Sequence, residues 1–264
     1  VKTRQVELDG PTAYHDYPAV PSRLHTSFEM RLWDNGEAGG ELRNTGPAPA
    51  GANDVVSRTI DALGVWEPVE TILMLAAFRA NPHTFFLDLG CQLGWYTHLA
   101  VASKVRGVLA VDANTRALEM VAATLELNPG AERVELLHGT VNTNASLTGD
   151  GPFIVKMDIE GAEPDAIVAL EPRLASHEIT HLLIEVSPVF SDRYPAALHT
   201  LIGHGYRLYA VPDKRPEPPE VDDVVAYLDA NADRLDELGP DLETYLAERI
   251  QFNVIAFVDN AAWG

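Results

Sequence analysis

At 264 residues, with 46 % apolar and 22 % charged residues, the chain is long enough for one globular α/β domain and too apolar for intrinsic disorder. Its 39 acidic residues against 19 basic ones give a formal charge of −20, which repels phosphate backbones and anionic lipid, so neither a nucleic acid nor a membrane is expected as partner. One cysteine, Cys91, excludes an intrachain disulfide; with no apolar run near the roughly 18 residues of a membrane helix and no signal pattern, the expectation is a soluble cytoplasmic protein.

Residues 1–55 read as an N-terminal extension. Tyr14, His15, Tyr17, Phe28 and Trp33 are too many aromatics for a solvated tail and predict docking on the body. Asp34 to Asp54, rich in Gly, Pro, Ala and Asn, reads as a long loop, either a passive linker or a lid over a ligand. Residues 56–264 then alternate between two periods. Helical spacing covers Val55 to Leu63 and Val69 to Arg79, and the apolar run Thr84 to Leu89, ending at Gly90, predicts a buried strand. A helix follows over Trp95 to Ser103, a strand over Gly107 to Val111, a helix over Arg116 to Leu127 and a strand over Val134 to His138. The second half continues with strand Phe153 to Met157, helix Pro164 to Leu170, strand His181 to Val186, helix Pro195 to His204, and strands Tyr206 to Val211 and Phe252 to Val258. Residues 212–249 between the last two read as an acidic, helical insertion. This rhythm predicts a doubly wound, mainly parallel Rossmann-like sheet with helices on both faces.

In such a sheet ligands bind beyond the carboxyl ends of the strands, and the turn after the first strand is the place to look. That turn is Asp88-Leu-Gly90-Cys-Gln92-Leu-Gly94-Trp-Tyr96-Thr97. A dinucleotide site prefers G-x-G-x-x-G facing a pyrophosphate. Here Gln92 stands at the second glycine position and an acid precedes the turn, which suits a nucleoside bearing an ammonium group and no phosphate. Asp88 is the candidate for its cationic amino-acid end, directly or through water. Asp112, about 20 residues on, is the candidate for the ribose hydroxyls. Lys156-Met-Asp158-Ile-Glu160-Gly-Ala-Glu163-Pro164 follows the fourth strand, and alternation puts Lys156 and Asp158 on one sheet face. Helix capping alone favours acids and Pro164 there, but the neighbouring strand ends in a further carboxylate, Glu185.

Together these residues resemble the FkbM-like family of class I S-adenosylmethionine-dependent methyltransferases. The resemblance rests on Phe86 to Thr97, on Val111-Asp112-Ala113-Asn114, and above all on Lys156 to Glu163; it extends to Leu183-Ile-Glu185 and Gly205-Tyr206. It covers roughly residues 66 to 211 plus the last strand. The turn reads Gly90-Cys-Gln92 where the family usually has Gly-Ala-Asn, and Asp112-Ala113 where it usually has Glu-Pro. The resemblance implies seven strands with the last inserted antiparallel, S-adenosylmethionine as cofactor, and O-methylation of a hydroxyl on a natural product, sugar or related metabolite. The cofactor-binding set it implies is Asp88, Gly90, Gln92, Gly94, Tyr96, Thr97, Asp112, Ala113 and Asn114, with Val141 and Asn142 bordering the adenine.

Methyl transfer from a sulfonium is an in-line displacement, so positioning, worth roughly 7 to 11 kcal/mol, outweighs a general base, worth about 10²- to 10⁴-fold. Asp158, Glu160 and Glu185 are the candidate bases, with Lys156 orienting a carboxylate or easing acceptor ionisation. Asp158 and Glu185 are also the candidate ligands for Mg²⁺, an alternative not favoured, since carboxylate spacing is weak evidence for a metal. His98 and Cys91 read as packing residues. The acceptor pocket is expected from the N-terminal aromatics, Pro188 to Tyr194 and the insertion. The competing readings are a nicotinamide-dependent oxidoreductase on a similar sheet and a non-catalytic ligand-binding module.

Overall fold

The computed structural model describes residues 2–7, 26–32, 55–140, 151–211 and 224–263. The loop at 34–54, the aromatics Tyr14, His15, Tyr17 and Trp33, and Val141 and Asn142 lie outside the described residues. Two antiparallel strands come first, β1 (Lys2–Glu7) and β2 (Ser27–Leu32). Then follow α1 (Val55–Leu63), α2 (Pro68–Ala80), β3 (Phe85–Leu89), α3 (Trp95–Ala102), β4 (Gly107–Asp112), α4 (Thr115–Leu125) and β5 (Val134–His138). The second half runs β6 (Phe153–Met157), α5 (Glu163–Ala175), β7 (Ile179–Val186), α6 (Tyr194–Gly203) and β8 (Tyr206–Ala210). It ends with α7 (Val224–Asn231), β9 (Asp233–Arg234), α8 (Leu242–Ala247) and β10 (Phe252–Val258).

The main sheet has the order β5-β4-β3-β6-β7-β10-β8-β9. β3, β4, β5, β6 and β7 are mutually parallel, and β10 is inserted antiparallel between β7 and β8. These are the expected seven strands; the insertion adds an eighth of two residues, β9, on the β8 edge. The fold is thus a doubly wound, Rossmann-like α/β fold, mostly parallel, with one strand inserted antiparallel. Strand order reverses between β3 and β6, since the chain runs outward from β3 to β5 and then crosses to β6, which makes their carboxyl ends the crevice of the fold.

Period-two alternation separates two cores. On one face Phe86, Ile154, Leu183, Ile255 and Phe257 meet α1, α2, α3, α4 and α7; on the other Leu87, Val155, Ile184 and Val254 meet α5, α6 and α8. Asp88, Lys156, Glu185 and Asn253 fall on the first face and are lined up by the ladders: Asp88 is opposite Lys156, Lys156 opposite Leu183, and Glu185 opposite Asn253. α2 and α3 are buried over most of their surface, as their predominantly apolar sequences require.

The β1-β2 pair packs outside this face, with Phe28, Met30 and Leu32 buried and Phe28 edge-on to Trp95 at 5.6 Å. Asn128 replaces a neighbouring strand for β2: its Oδ1 accepts from Glu29 N at 2.8 Å and its Nδ2 donates to Glu29 O at 2.7 Å. Asn128→Ala removes both bonds and leaves two backbone groups without partners, so it should lower stability by roughly 1 to 3 kcal/mol. Hydrogen exchange should accelerate at 27–32 ahead of the main sheet.

Candidate active site

The crevice opens into a cavity of about 530 Å³. Its lining comes from the β3–α3 turn and the start of α3 (Gly90, Cys91, Gln92, Trp95, Tyr96), the end of β4 (Val111, Asp112, Ala113), residues after β5 (Gly139, Thr140), and β6 with the loop after it (Lys156, Asp158, Ile159, Glu160, Ala162). Glu185 on β7, Gln251 before β10, and Val55, Val56 and Trp66 complete it.

The floor is built by backbone. Gly90 N and Cys91 N donate to Val111 O at 2.8 and 3.1 Å, and Asp158 N donates to Leu89 O at 2.9 Å, so three strand ends are stitched together. Gly90 has φ +81°, and a Cβ there would lie 1.7 Å from Asp158 O. Only glycine fits this position. Across the crevice Asp112 Oδ2 accepts from Gln92 N at 2.8 Å and Oδ1 from Asn114 N at 2.7 Å. Each oxygen keeps a lone pair for a ligand donor.

Lys156 is 7 % exposed and donates to Asp158 Oδ2 at 2.9 Å, with its ammonium 5.6 Å from the centre of the Tyr96 ring. Burial pulls the ammonium down, but Asp158, Asp88 and Glu67 outweigh it and hold the group above its ordinary value. Asp88 does not line the cavity. It lies beneath, 1 % exposed, accepting from Thr97 Oγ1 at 2.6 Å, and burial raises its carboxyl despite Lys156 and Thr97. Thr97 and Gly94 likewise sit behind the turn, Gly94 opening α3 with φ +77° against Val121, and Asn114 caps α4 by accepting from Arg116 N. Gln92, Tyr96, Asp112 and Ala113 reach the cavity.

Glu185 accepts from Ser187 Oγ at 3.2 Å and from Gln251 Nε2, and burial, together with Asp158 and Glu160, pushes its carboxyl up to about 7 against the opposing Gln251 and Lys156. Glu160 is exposed, at φ +54° on the loop, and raised by burial, Asp158 and Glu163. Glu163 is fully buried and shapes that loop: Oε1 accepts from Ile159 N at 2.6 Å, and Oε2 from Gly161 N at 3.0 Å and from the Tyr194 hydroxyl. Much of the acidic block is therefore a turn that presents Asp158 and Glu160.

Some residues that brace or line the cavity gave no sequence signal. Glu67 accepts from Tyr96 Oη at 2.7 Å and from Asn253 Nδ2 at 3.3 Å, tying α2 to α3 and β10. None of 188–194 lines the cavity, while Val55, Val56 and Trp66 do. Gln251 and Asn253 could be read only from alternation along β10, whose paired partner the sequence does not identify. His98 is buried with both ring nitrogens unpartnered and pushed down to about 3 by burial; the Cys91 thiol is pushed up by burial, Asp88 and Asp112. Among the described residues no group of three or more His, Cys, Asp or Glu is arranged to hold a metal, and Asp158, one of the two candidate ligands, pairs with Lys156.

No family model matches the chain, and no curated protein does. Solved structures similar to it include a precorrin-6y C5,15-methyltransferase of Geobacter metallireducens, 13 % identical over 72 % of this chain and 86 % of that one, with a TM-score of 0.45. A TehB-like SAM-dependent methyltransferase of Corynebacterium glutamicum is 13 % identical over 76 % and 92 %, TM-score 0.44. An rRNA methylase of Streptococcus thermophilus is 16 % identical over 74 % and 98 %, TM-score 0.44.

Gly90→Ala should destabilise the protein by more than about 3 kcal/mol in urea, through its positive φ and the backbone overlap. Gly203→Ala, with nothing within 4 Å, should be neutral or slightly stabilising.

Proposed function

We propose that the chain transfers a methyl group from S-adenosylmethionine to a hydroxyl on a small-molecule acceptor, a natural product, sugar or related metabolite of the kind FkbM-like methyltransferases take. The observation that carries this reading is the pairing of two features in one cavity: the Gly90 cradle facing an Asp112 carboxylate already aligned by two backbone N–H groups, and a carboxylate, Glu185, that titrates near neutrality.

The donor set fits the cofactor. Asp112 has acceptor capacity left for a ribose diol, and Gly90, Cys91 and Gln92 let backbone approach a nucleoside closely. Asp88 has one buried oxygen without a partner, beneath the floor, which suits a role through water or through Thr97 rather than direct contact. When bound, S-adenosylmethionine supplies an electrophilic methyl carbon and a thioether leaving group. The walls Val55, Val56, Trp66 and Trp95 exclude water from the acceptor hydroxyl. Glu185 removes its proton, since a base with a value near the working pH is the most effective. Asp158 is engaged by Lys156, so that pair orients the acceptor, with Glu160 at the rim. Acidic lining disfavours a polyphosphate acceptor, in keeping with the chain's −20 charge. Among the described residues no helix is long and apolar enough to cross a membrane.

Calorimetry should register S-adenosylhomocysteine and no NAD, and Asp112→Ala should weaken that binding about 10- to 100-fold through loss of charged hydrogen bonds. The reverse preference would favour an oxidoreductase. In a methylation assay read by mass, turnover should rise with pH through about 7 as Glu185 ionises, and Glu185→Gln should slow it by about 10²- to 10⁴-fold without that limb. A flat profile across this range would remove Glu185 as base.

A further inference from the structure

We propose that Gln251 is the positioning residue for proton removal: its side-chain amide, carried in by the antiparallel strand β10, aims and ionises the Glu185 carboxylate. This rests on the proposed role of Glu185 as general base.

The geometry comes from the ladder. β10 runs against β7 with Phe252 opposite Val186 and Asn253 opposite Glu185. Gln251 therefore stands one step beyond the paired region, on the same sheet face as Asn253 and over the end of β7. Its Nε2 donates to Glu185 Oε2, while Ser187 Oγ, two residues along β7, donates to Oε1 at 3.2 Å. One donor on each oxygen fixes the orientation of the carboxylate and leaves each oxygen further acceptor capacity beside the cavity, which Glu185 and Gln251 both line.

The groups around Glu185 make this amide consequential. From β6 it faces Lys156 and from the loop after β6 Asp158, which are paired with each other. From the loop before α5 it faces Glu160, and from α6 the Tyr194 hydroxyl, which is spent on Glu163. From β10 it meets no charge, only Gln251 and, opposite in the ladder, Asn253, which is committed to Glu67 and Glu70. Burial and two neighbouring acids press Glu185 toward its neutral form; the hydrogen bond that Gln251 Nε2 donates to its Oε2 presses the other way. A glutamine is suited to this because it favours the anion without forming an ion pair that would hold the base charged at every pH.

The test needs no knowledge of the acceptor. Protein labelled at the glutamate side-chain carboxyl carbon is titrated by NMR, the Glu185 signal being the one lost in Glu185→Gln. Gln251→Leu should move its midpoint up by about one pH unit, and Gln251→Glu further, because a carboxylate then faces a carboxylate. Gln251 is exposed, so both variants should melt with the wild type. An unmoved Glu185 midpoint in Gln251→Leu overturns the proposal. Failure of the wild type to bind S-adenosylhomocysteine is a separate result; it would overturn the proposed function, and with it the catalytic meaning of Gln251, even with the midpoint shift intact.

Discussion

The ammonium of Lys156 is the constraint on which the site depends. A buried cation is tolerated only with counter-charge at hand, and three elements supply it: Asp158 from the loop after β6, Asp88 from β3 and Glu67 from the start of α2. The dependence runs both ways, because without Lys156 three carboxylates would crowd a poorly solvated floor. Asp88 in turn holds Thr97, and Glu67 holds Tyr96 and Asn253, so the charge at the centre reaches α3 and β10 through hydrogen bonds to their side chains. One ion cluster thereby couples the sheet to the two most deeply buried helices.

Backbone contacts make that cluster rigid. Gly90 pressed on Asp158 O, and Glu163 collecting the N–H groups of Ile159 and Gly161, leave the β3 and β6 loops little freedom to move independently. Gly161 meets a similar restriction, with a Cβ falling 2.7 Å from Phe190 Cβ. The consequence is a preorganised floor, which is what positioning chemistry requires.

How much of this was legible follows the strength of local patterns. Phe153–Met157 and Phe252–Val258 matched their expected bounds because apolar runs leave little choice, and the edge strand Val134–His138 matched as well. α5 outran its expectation, continuing through Pro172 to Ala175, because a proline removes one donor near an exposed helix end without forcing the chain out of the core at Leu174. β1 was missed because KTRQVE is polar and takes its shape from pairing with β2, and β9 because two residues carry no period. In the site, Asp112, Lys156, Asp158 and Glu185 were visible as acids and a lysine at strand ends. Asp88 looked the same in sequence, yet it lies under the floor, since burial depth at a strand end depends on the helix packed above it. Gln251, Glu67 and Asn253 were invisible for the complementary reason: each gains its role from an element distant in sequence.

The same crowding sets an electrostatic bias. Asp88, Glu67, Glu160 and Glu185 all hold their protons more tightly than ordinary carboxyls, Glu185 up to about 7. In the window from the ordinary carboxylate range to that value the folded chain binds more protons than the unfolded one, so these groups withdraw stability as pH rises. Lys156 acts oppositely: held above its ordinary value, its contribution is complete throughout this window and is lost only in strong alkali. One ammonium thus offsets several carboxylates, and near neutrality the crevice is short of positive charge. On the proposed function, the positive centre of the donor enters a site with that deficit. Its binding favours the ionised form of Glu185, and by reciprocity ionised Glu185 favours the donor, so cofactor loading and activation of the base become one linked equilibrium.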